Sequence, residues 1–144
     1  MPDRVVIALG DNLLVRGFQT ATPGRRARDG TPTHALFVLT RALLAAIAMK
    51  EPALAVAVLD AAADPGAQGE GFAPQRALLA ELFEAHGLPV LEVAQPEQVV
   101  ASYTQAALDA GHDVVIVGSD KRLAQLVSDR VWWYDAYKDV RYTP

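Results

Sequence analysis

The stretch VVIVGSDKRLAQLVSDRVWWYD, residues 114–135, holds two apolar runs separated by a polar segment. The first run is rich in Val and Ile and does not alternate with polar residues, which is typical of a strand covered on both faces of a parallel sheet. Comparable apolar runs occur at 5–9, 53–59, 88–93, 113–118 and 131–135, and helical patterns occupy 33–50, 73–87, 96–111 and 120–129. Strands that alternate with helices predict a three-layer α/β/α sandwich around a five-stranded, mainly parallel sheet.

The composition fits one compact domain over residues 1–144. The chain is 51% apolar, carries a net charge of −4 and has no cysteine, which excludes disulfides and thiolate metal sites. No apolar stretch reaches the ~18 residues of a membrane span, and the N-terminal apolar run is too short for a signal peptide. We therefore predict a cytoplasmic protein without a membrane partner. The acidic balance argues against an unusually basic nucleic-acid binder, but it is compatible with a local basic patch.

Polar residues directly follow the predicted strands, where ligands of open α/β sheets bind. These residues are Asp11, Asn12, Asp60, Glu97, Ser119 and Asp120. Carboxylate oxygens at one sheet edge are suitable ligands for Mg²⁺. A structural interpretation also stands, because an Asp after a strand caps a helix, worth about 1 kcal/mol. In the same way, Asp11-Asn12 has the composition of an ordinary turn.

Four collinear stretches carry a family likeness: GDNLLVRGF (10–18), DGTPTHALFVLTRALL (29–44), AHGLPVLEV (85–93), and residues 114–135 continued by KDVRYTP (138–144). In these stretches the chain resembles the N-terminal domain of the bacterial 5′–3′ exonuclease family. This is the flap-endonuclease-like domain of DNA polymerase I, within the PIN-like group. The resemblance spans nearly the whole chain. It implies a PIN-like (resolvase-like) fold with a parallel sheet.

The resemblance also implies a nuclease site of about six acidic positions that bind two divalent metals. At most three of them survive here as Asp60, Glu97 and Asp120. We expect this residual set to bind a single Mg²⁺ or Mn²⁺ ion or none. Leu9 stands at the position of the family's first aspartate, and Arg122 stands at the position of the second aspartate of its D-x-D motif.

Two further elements of the family have no counterpart in this sequence. The family's basic helical arch lies between strands two and three, where this chain has only residues 61–72, without Lys, Arg or Tyr. The family's helical DNA-gripping element lies beyond the position of residue 144, although Thr143-Pro144 has the pattern of a helix start. We therefore expect a single domain without the arch and without the C-terminal helical DNA-binding part.

Arg122 has two interpretations. Its guanidinium, permanently charged and fork-shaped, could bridge Asp120, Asp60 and Glu97 and neutralise acids that would otherwise repel each other. Alternatively, Arg122 lies on the exposed face of a helix and has no role in the site.

Three hypotheses about function remain open. The first is a degenerate exonuclease-like domain with little or no nuclease activity that binds nucleic acid or protein. The second is an active metal-dependent 5′–3′ exonuclease or flap endonuclease that uses Asp60, Glu97 and Asp120. The third is weak DNA binding without catalysis, through Arg16, Arg25, Arg26 and Arg28. In the family, the arginine at the position of Arg16 lies near substrate phosphates, whereas the other three arginines are also compatible with a solvated loop.

The aromatic run Trp132, Trp133 and Tyr134 predicts an interface. If this strand lies at the sheet edge, one indole is left partly bare, and an exposed aromatic patch often marks an interaction site. Self-association as a homodimer or binding of a protein partner would follow. The alternative is that Trp133 packs beneath the C-terminal tail.

Overall fold

A six-stranded sheet forms the centre of the fold. The structure is a computed structural model that describes residues 3–64 and 66–144, without the side chains of residues 49 and 50. The strands are β1 (Arg4–Leu9), β2 (Leu54–Asp60), β3 (Val90–Val93), β4 (Asp113–Val117), β5 (Val131–Asp135) and β6 (Val140–Tyr142). Their order is β3-β2-β1-β4-β5-β6, and every pairing among the first five is parallel. The predicted parallel sheet is confirmed, with β1 in its interior.

The prediction of five strands is wrong by one, because the chain reverses after β5. Asp139 has φ 53°, a left-handed conformation that Asp tolerates better than most side chains. After this reversal β6 pairs antiparallel with β5, with Trp133 opposite Tyr142 and Asp135 opposite Val140. A three-residue strand is too short to show an apolar pattern in the sequence.

Helices cover both faces of the sheet and confirm the three layers. One face carries α1 (Gly10–Thr20), α2 (His34–Lys50), α3 (Phe72–Ala77) and α4 (Leu79–Ala85). The other face carries α5 (Pro96–Asp109) and a short 3₁₀ helix, Lys121–Leu126. A hydrophobic core lies on each face of the sheet, and successive side chains of β1 point to opposite faces. Val6 packs in the core on the first face and Ile7 in the core on the second. None of the helices in the described ranges is long and apolar enough to cross a bilayer.

The predicted turn at Asp11-Asn12 is instead the first turn of α1. Buried positions of this helix recur at Gly10, Leu13, Leu14 and Gly17, the spacing of one helical face. A Cβ at position 10 would meet Leu59 Cδ2 at 2.2 Å. The helix can therefore begin immediately after β1 only because residue 10 has no side chain.

Two other predicted helices are shorter than their patterns indicate. The pattern over 73–87 forms two helices, because the Leu78 N–H bonds to the Gln75 carbonyl at 3.1 Å and tightens the last turn of α3. The pattern over 120–129 forms only the 3₁₀ helix, which ends where Val127 becomes extended with ψ 134°. The chain must extend there because β5 begins four residues later.

The prediction that β5 is an edge strand is wrong. Its outer side is paired with β6, and Trp133 is only 5% exposed. The Trp133 indole N–H donates to the Gly118 carbonyl at 2.9 Å, and its ring stacks on Tyr142 with centroids 4.0 Å apart. Trp133 thus packs beneath the C-terminal strand.

The neighbouring aromatic residues are also engaged within the fold. Tyr134 is buried, and its hydroxyl donates to Asp139 at 2.6 Å. Trp132 is partly buried, with the guanidiniums of Arg4 and Arg141 at 4.8 and 5.0 Å from its ring centroid. The predicted homodimer or protein partner at Trp132, Trp133 and Tyr134 is therefore not supported.

Gln75 provides a long-range cap for α2. Thr33 occupies the N-cap position, but its side chain forms no capping hydrogen bond. The fully buried Gln75 side chain performs this role instead: its Oε1 accepts from the N–H groups of Ala35 at 2.8 Å and Leu36 at 3.2 Å. Its Nε2 donates to the Gly71 carbonyl at 3.0 Å. This side chain joins α3 to the start of α2.

We predict that Gln75→Met destabilises the fold by about 2 kcal/mol, because methionine fills a similar volume but leaves two helix N–H groups without an acceptor. Urea unfolding measures the change. The control is Gln105→Met on the exposed face of α5, which should change the free energy of unfolding by less than about 0.5 kcal/mol. Equal effects of the two substitutions would refute the capping role.

Candidate functional site

A pocket of about 630 Å³ opens at the carboxyl edge of the sheet. It lies where the strand order reverses, since β1 is flanked by β2 on one side and β4 on the other. Its polar lining includes the carboxylates of Asp11, Asp60, Glu97 and Asp120 together with the guanidinium of Arg122. The four acids that the sequence analysis placed at the strand ends therefore do line one pocket.

The first turn of α1 fixes the ends of both strands next to β1. Asp11 Oδ2 accepts from the backbone N–H of Asp60 at 2.6 Å, at the end of β2. Asn12 Oδ1 accepts from the backbone N–H of Ser119 at 2.5 Å, just beyond β4. Two adjacent side chains thus satisfy backbone donors on opposite sides of the central strand.

Arg76 is the site residue that sequence reasoning missed. It lies in α3, and its Nε donates to Asp11 Oδ1 at 2.5 Å. Its Nη2 donates to the Asp60 carbonyl at 3.0 Å and lies 3.4 Å from Glu92 Oε1. The Arg76 side chain is only 12% exposed. No sequence signal could have found this contact, because its partner lies 65 residues away in an unrelated pattern.

Among the described residues, the Asp60 carboxylate has no cationic partner. Its Oδ1 accepts from the Ala62 N–H at 2.8 Å, which closes a turn directly after β2. Within residues 3–64 and 66–144, no lysine or arginine forms an ion pair with its carboxylate. Arg76 approaches only its backbone carbonyl.

Arg122 lies between Asp120 and Glu97. Its Nε is 3.0 Å from Asp120 Oδ2 and its Nη2 is 2.7 Å from the same oxygen, while Nη2 lies 3.4 Å from Glu97 Oε1. Asp120 also caps the 3₁₀ helix, because its Oδ1 accepts from the Arg122 N–H at 2.9 Å. Asp120 therefore caps a helix and also lines the pocket, so the two interpretations of this residue are compatible.

The hydrogen bonds from Arg122 hold the pKa of Asp120 below its ordinary value. In turn, the hydrogen bonds to Asp120 raise the pKa of the Arg122 guanidinium. The Arg122 side chain is nevertheless 68% exposed, so water screens this pair.

The acids of the pocket do not fit a divalent metal centre as they are arranged. Both Asp120 oxygens receive hydrogen bonds from Arg122, and Asp11 is held by Arg76. The side chain of Leu9 lines the pocket at the end of β1. In the part of the chain that the structure describes, no three His, Asp or Glu side chains form a group able to hold a metal ion.

The arginines predicted to bind nucleic acid lie apart from the pocket. Arg25, Arg26 and Arg28 are exposed in the loop between α1 and α2, and Arg16 is partly buried on α1. The Arg25 guanidinium lies 3.6 Å from the ring centroid of Phe37, a residue that is 37% exposed. None of these residues lines the pocket.

The six-stranded α/β/α sandwich with acids at its carboxyl edge is the PIN-like class of fold found in nucleases. The sequence matches the family described as "5'-3' exonuclease, N-terminal resolvase-like domain" over residues 4–144. The chain belongs to this family.

Curated relatives are DNA polymerases. The chain is 30% identical over 159 residues to DNA polymerase I of Rhizobium leguminosarum, with 95% of this chain and 16% of that protein covered. It is 34% identical over 144 residues to the thermostable DNA polymerase I of Thermus aquaticus, with 89% of this chain and 17% of that protein covered. The chain thus spans about a sixth of the length of these relatives.

Solved structures with the same fold include proteins of bacteriophage T5. The T5 5′-exonuclease bound to divalent metal ions (zinc) has a TM-score of 0.71 at 13% identity, with 97% of this chain and 58% of that chain covered. A T5 flap endonuclease in a pseudo-enzyme–product complex with DNA and metal ions has a TM-score of 0.65 at 11% identity, covering 97% and 57%. At these identities the likeness establishes the fold alone.

We predict that Arg122→Gln raises the pKa of Asp120 toward its ordinary value, which NMR titration of the side-chain carboxyl would measure. Because the folded-state pKa of Asp120 lies below its unfolded-state pKa, the contact stabilises the fold above the unfolded-state value. This stabilisation is lost as the pH falls through the folded-state value. The variant should therefore be less stable than the parent at about pH 7, and this difference should shrink as the pH falls through the folded-state pKa of Asp120.

Lys121→Gln is the matched control, because it removes the same charge from the adjacent exposed residue. It should leave the pKa of Asp120 near its parental value. An equal rise of the Asp120 pKa in both variants would mean that the net charge of the segment, rather than the hydrogen bonds from Arg122, lowers this pKa.

Proposed function

We propose that this chain is a degenerate 5′–3′ exonuclease-like domain with little or no nuclease activity, which acts as a nucleic-acid-binding module. The observation on which this depends most is the Arg122 guanidinium. It is forked on Asp120 and lies 3.4 Å from Glu97, two of the three acids that match the family's ligand positions. A protein cation there opposes a divalent ion by charge repulsion and by taking the carboxylate oxygens.

Further support comes from Leu9 and from the segment after β2. Leu9 offers no oxygen ligand at the position where the family has an aspartate. Residues 61–71 contain no Lys or Arg that could clamp a phosphate. Both features remove chemistry that a two-metal phosphodiesterase requires.

A second candidate function is an active divalent-metal-dependent exonuclease or flap endonuclease on DNA with a reduced carboxylate set. The observation that favours it is the common pocket of Asp60, Glu97 and Asp120. Arg122 is exposed enough to move away from Asp120. In that case the chain would hold a single Mg²⁺ or Mn²⁺ ion.

We expect no cleavage of 5′-flap or single-stranded DNA above background in a titration with Mg²⁺ and Mn²⁺. Cleavage that requires metal and is lost in Asp60→Asn would establish the second candidate function instead. Asn at position 60 can still accept the Ala62 hydrogen bond, so loss of activity would not reflect a broken turn.

The double variant Leu9→Asp, Arg122→Asp tests why the parent is inactive. It restores two carboxylates and removes the competing cation, so calorimetry should detect Mg²⁺ or Mn²⁺ binding that is stronger than in the parent. If the double variant binds these ions no better than the parent, Arg122 and Leu9 do not account for the degenerate site.

Nucleic-acid binding is supported by the charge of one segment. Residues 12–49 contain five arginines and one aspartate, so their net charge is +4 in a chain of net charge −4. The aspartate, Asp29, accepts the Thr31 N–H at 2.9 Å, and this hydrogen bond lowers its pKa. Arg25 and the exposed Phe37 together offer a cation and a ring face, the pair of groups on which phosphates and bases bind.

We predict that the double variant Arg25→Ala, Arg28→Ala weakens binding of single-stranded DNA. If each arginine contacts one phosphate, the slope of log K against log salt should fall by about 1.4. Fluorescence anisotropy over a salt series measures both quantities. The control is the double variant Arg130→Gln, Lys138→Gln, which removes two positive charges outside the segment 12–49. One of them, Arg130, forms an ion pair with Asp113 at the amino end of β4. Equal losses in the two double variants would contradict a localised binding face.

A further inference from the structure

The pocket at the carboxyl edge combines apolar walls with an acidic mouth. Val58, Val100, Leu123 and Leu126 line its interior, and these side chains belong to or pack against the core beneath α5. A volume of about 630 Å³ is in the range of pockets that bind small organic molecules. The pocket therefore offers an apolar surface as well as charged groups. A bare metal ion would contact the charged groups but not the apolar surface.

The charges at the mouth favour a cation. Four carboxylates line the pocket, and two guanidiniums compensate them, Arg122 in the lining and Arg76 beside it. Asp60 lacks a cationic partner among the described residues, and Glu97 has only the 3.4 Å contact with Arg122. A cleft with acidic groups and low-dielectric walls concentrates cations and repels anions.

One cation already lies at the mouth of the pocket, the guanidinium of Arg122. Arg122 is an organic cation on a flexible stem, and it lies between Asp120 and Glu97. With 68% of its side chain exposed, it is not buried in place and can be exchanged for another group. Arg76 differs in this respect, because it is 12% exposed and is tied to Asp11 and to the Asp60 carbonyl.

We propose that the pocket binds a small organic cation, an alkylammonium or alkylguanidinium group on an apolar body. The cationic group lies at Asp60, Glu97 and Asp120, where it displaces the Arg122 guanidinium. The apolar body lies against Val100, Leu123 and Leu126. This ligand differs from the nucleic acid of the proposed function, and it requires neither cleavage nor DNA binding.

The first experiment compares two probes with the same body and opposite charge, 4-phenylbutylamine and 4-phenylbutyrate, by ligand-observed NMR and calorimetry. We expect the amine to bind at least about tenfold more tightly than the acid, because the mouth is acidic. Methylamine, which has the charge without the body, should bind more weakly than 4-phenylbutylamine. Equal or tighter binding of 4-phenylbutyrate would overturn the proposal, and so would no binding of the amine at about 10 mM.

Two variants locate the ligand. Arg122→Gln removes the competing cation and should tighten binding of the amine several-fold, whereas a site for anions would lose affinity on the same change. Asp60→Asn keeps the turn acceptor and should weaken binding about tenfold. An unchanged affinity in both variants would show that the amine binds elsewhere. These outcomes do not depend on the DNA cleavage and binding assays, so either proposal can fail without the other.

Discussion

The arrangement of the carboxyl edge depends on the first turn of α1. There Asp11 and Asn12, adjacent in sequence, accept backbone N–H groups at the ends of β2 and β4, the two strands that flank β1. An acceptor in the first turn of a helix also benefits from the partial positive charge of the helix N-terminus. The helix reaches this position because Gly10 leaves no Cβ to collide with Leu59. The mouth of the pocket is therefore set by side chains whose role is to hold strand ends rather than to bind a ligand.

The two arginines of the site differ in how firmly the structure holds them. Arg76 follows Gln75, so consecutive residues of α3 bind the start of α2 and the start of α1. This anchoring leaves Arg76 little freedom, and its charge permanently offsets that of Asp11. Arg122 extends from a single 3₁₀ turn and is largely solvated. The negative charge of Asp11 is thus neutralised by a firmly held arginine, whereas that of Asp120 is neutralised by an exposed one. The proposed ligand takes the place of the exposed arginine, Arg122.

Local patterns predicted most of the fold, and contacts distant in sequence account for the failures. The Val- and Ile-rich runs located five strands because strands covered on both faces need continuous apolar sequence. The sixth strand has three residues and no such pattern, so the sequence predicts β5 as the edge strand, with one indole partly bare or, in the alternative, with Trp133 packed beneath the C-terminal tail. Asp120 and Arg122 were recognised because they are two residues apart and match a family motif. The Arg76–Asp11 and Asn12–Ser119 contacts span 65 and 107 residues, and no periodicity in the sequence relates such partners.

The position of β1 has a consequence for how this chain folds as it is synthesised. Strand β1 leaves the ribosome well before both of its partners in the sheet: Val5 pairs with Leu54 on one side and with Val114 on the other. Between the completion of β2 and the arrival of β4, one edge of β1 carries unpaired backbone groups beside the consecutive apolar residues Val5–Ala8. At a synthesis rate of about 5–20 residues per second this interval lasts about 3–10 s. Strand pairing with another nascent chain competes with native folding during that time, so the aggregation hazard lies in a strand whose four central residues are buried in the native sheet.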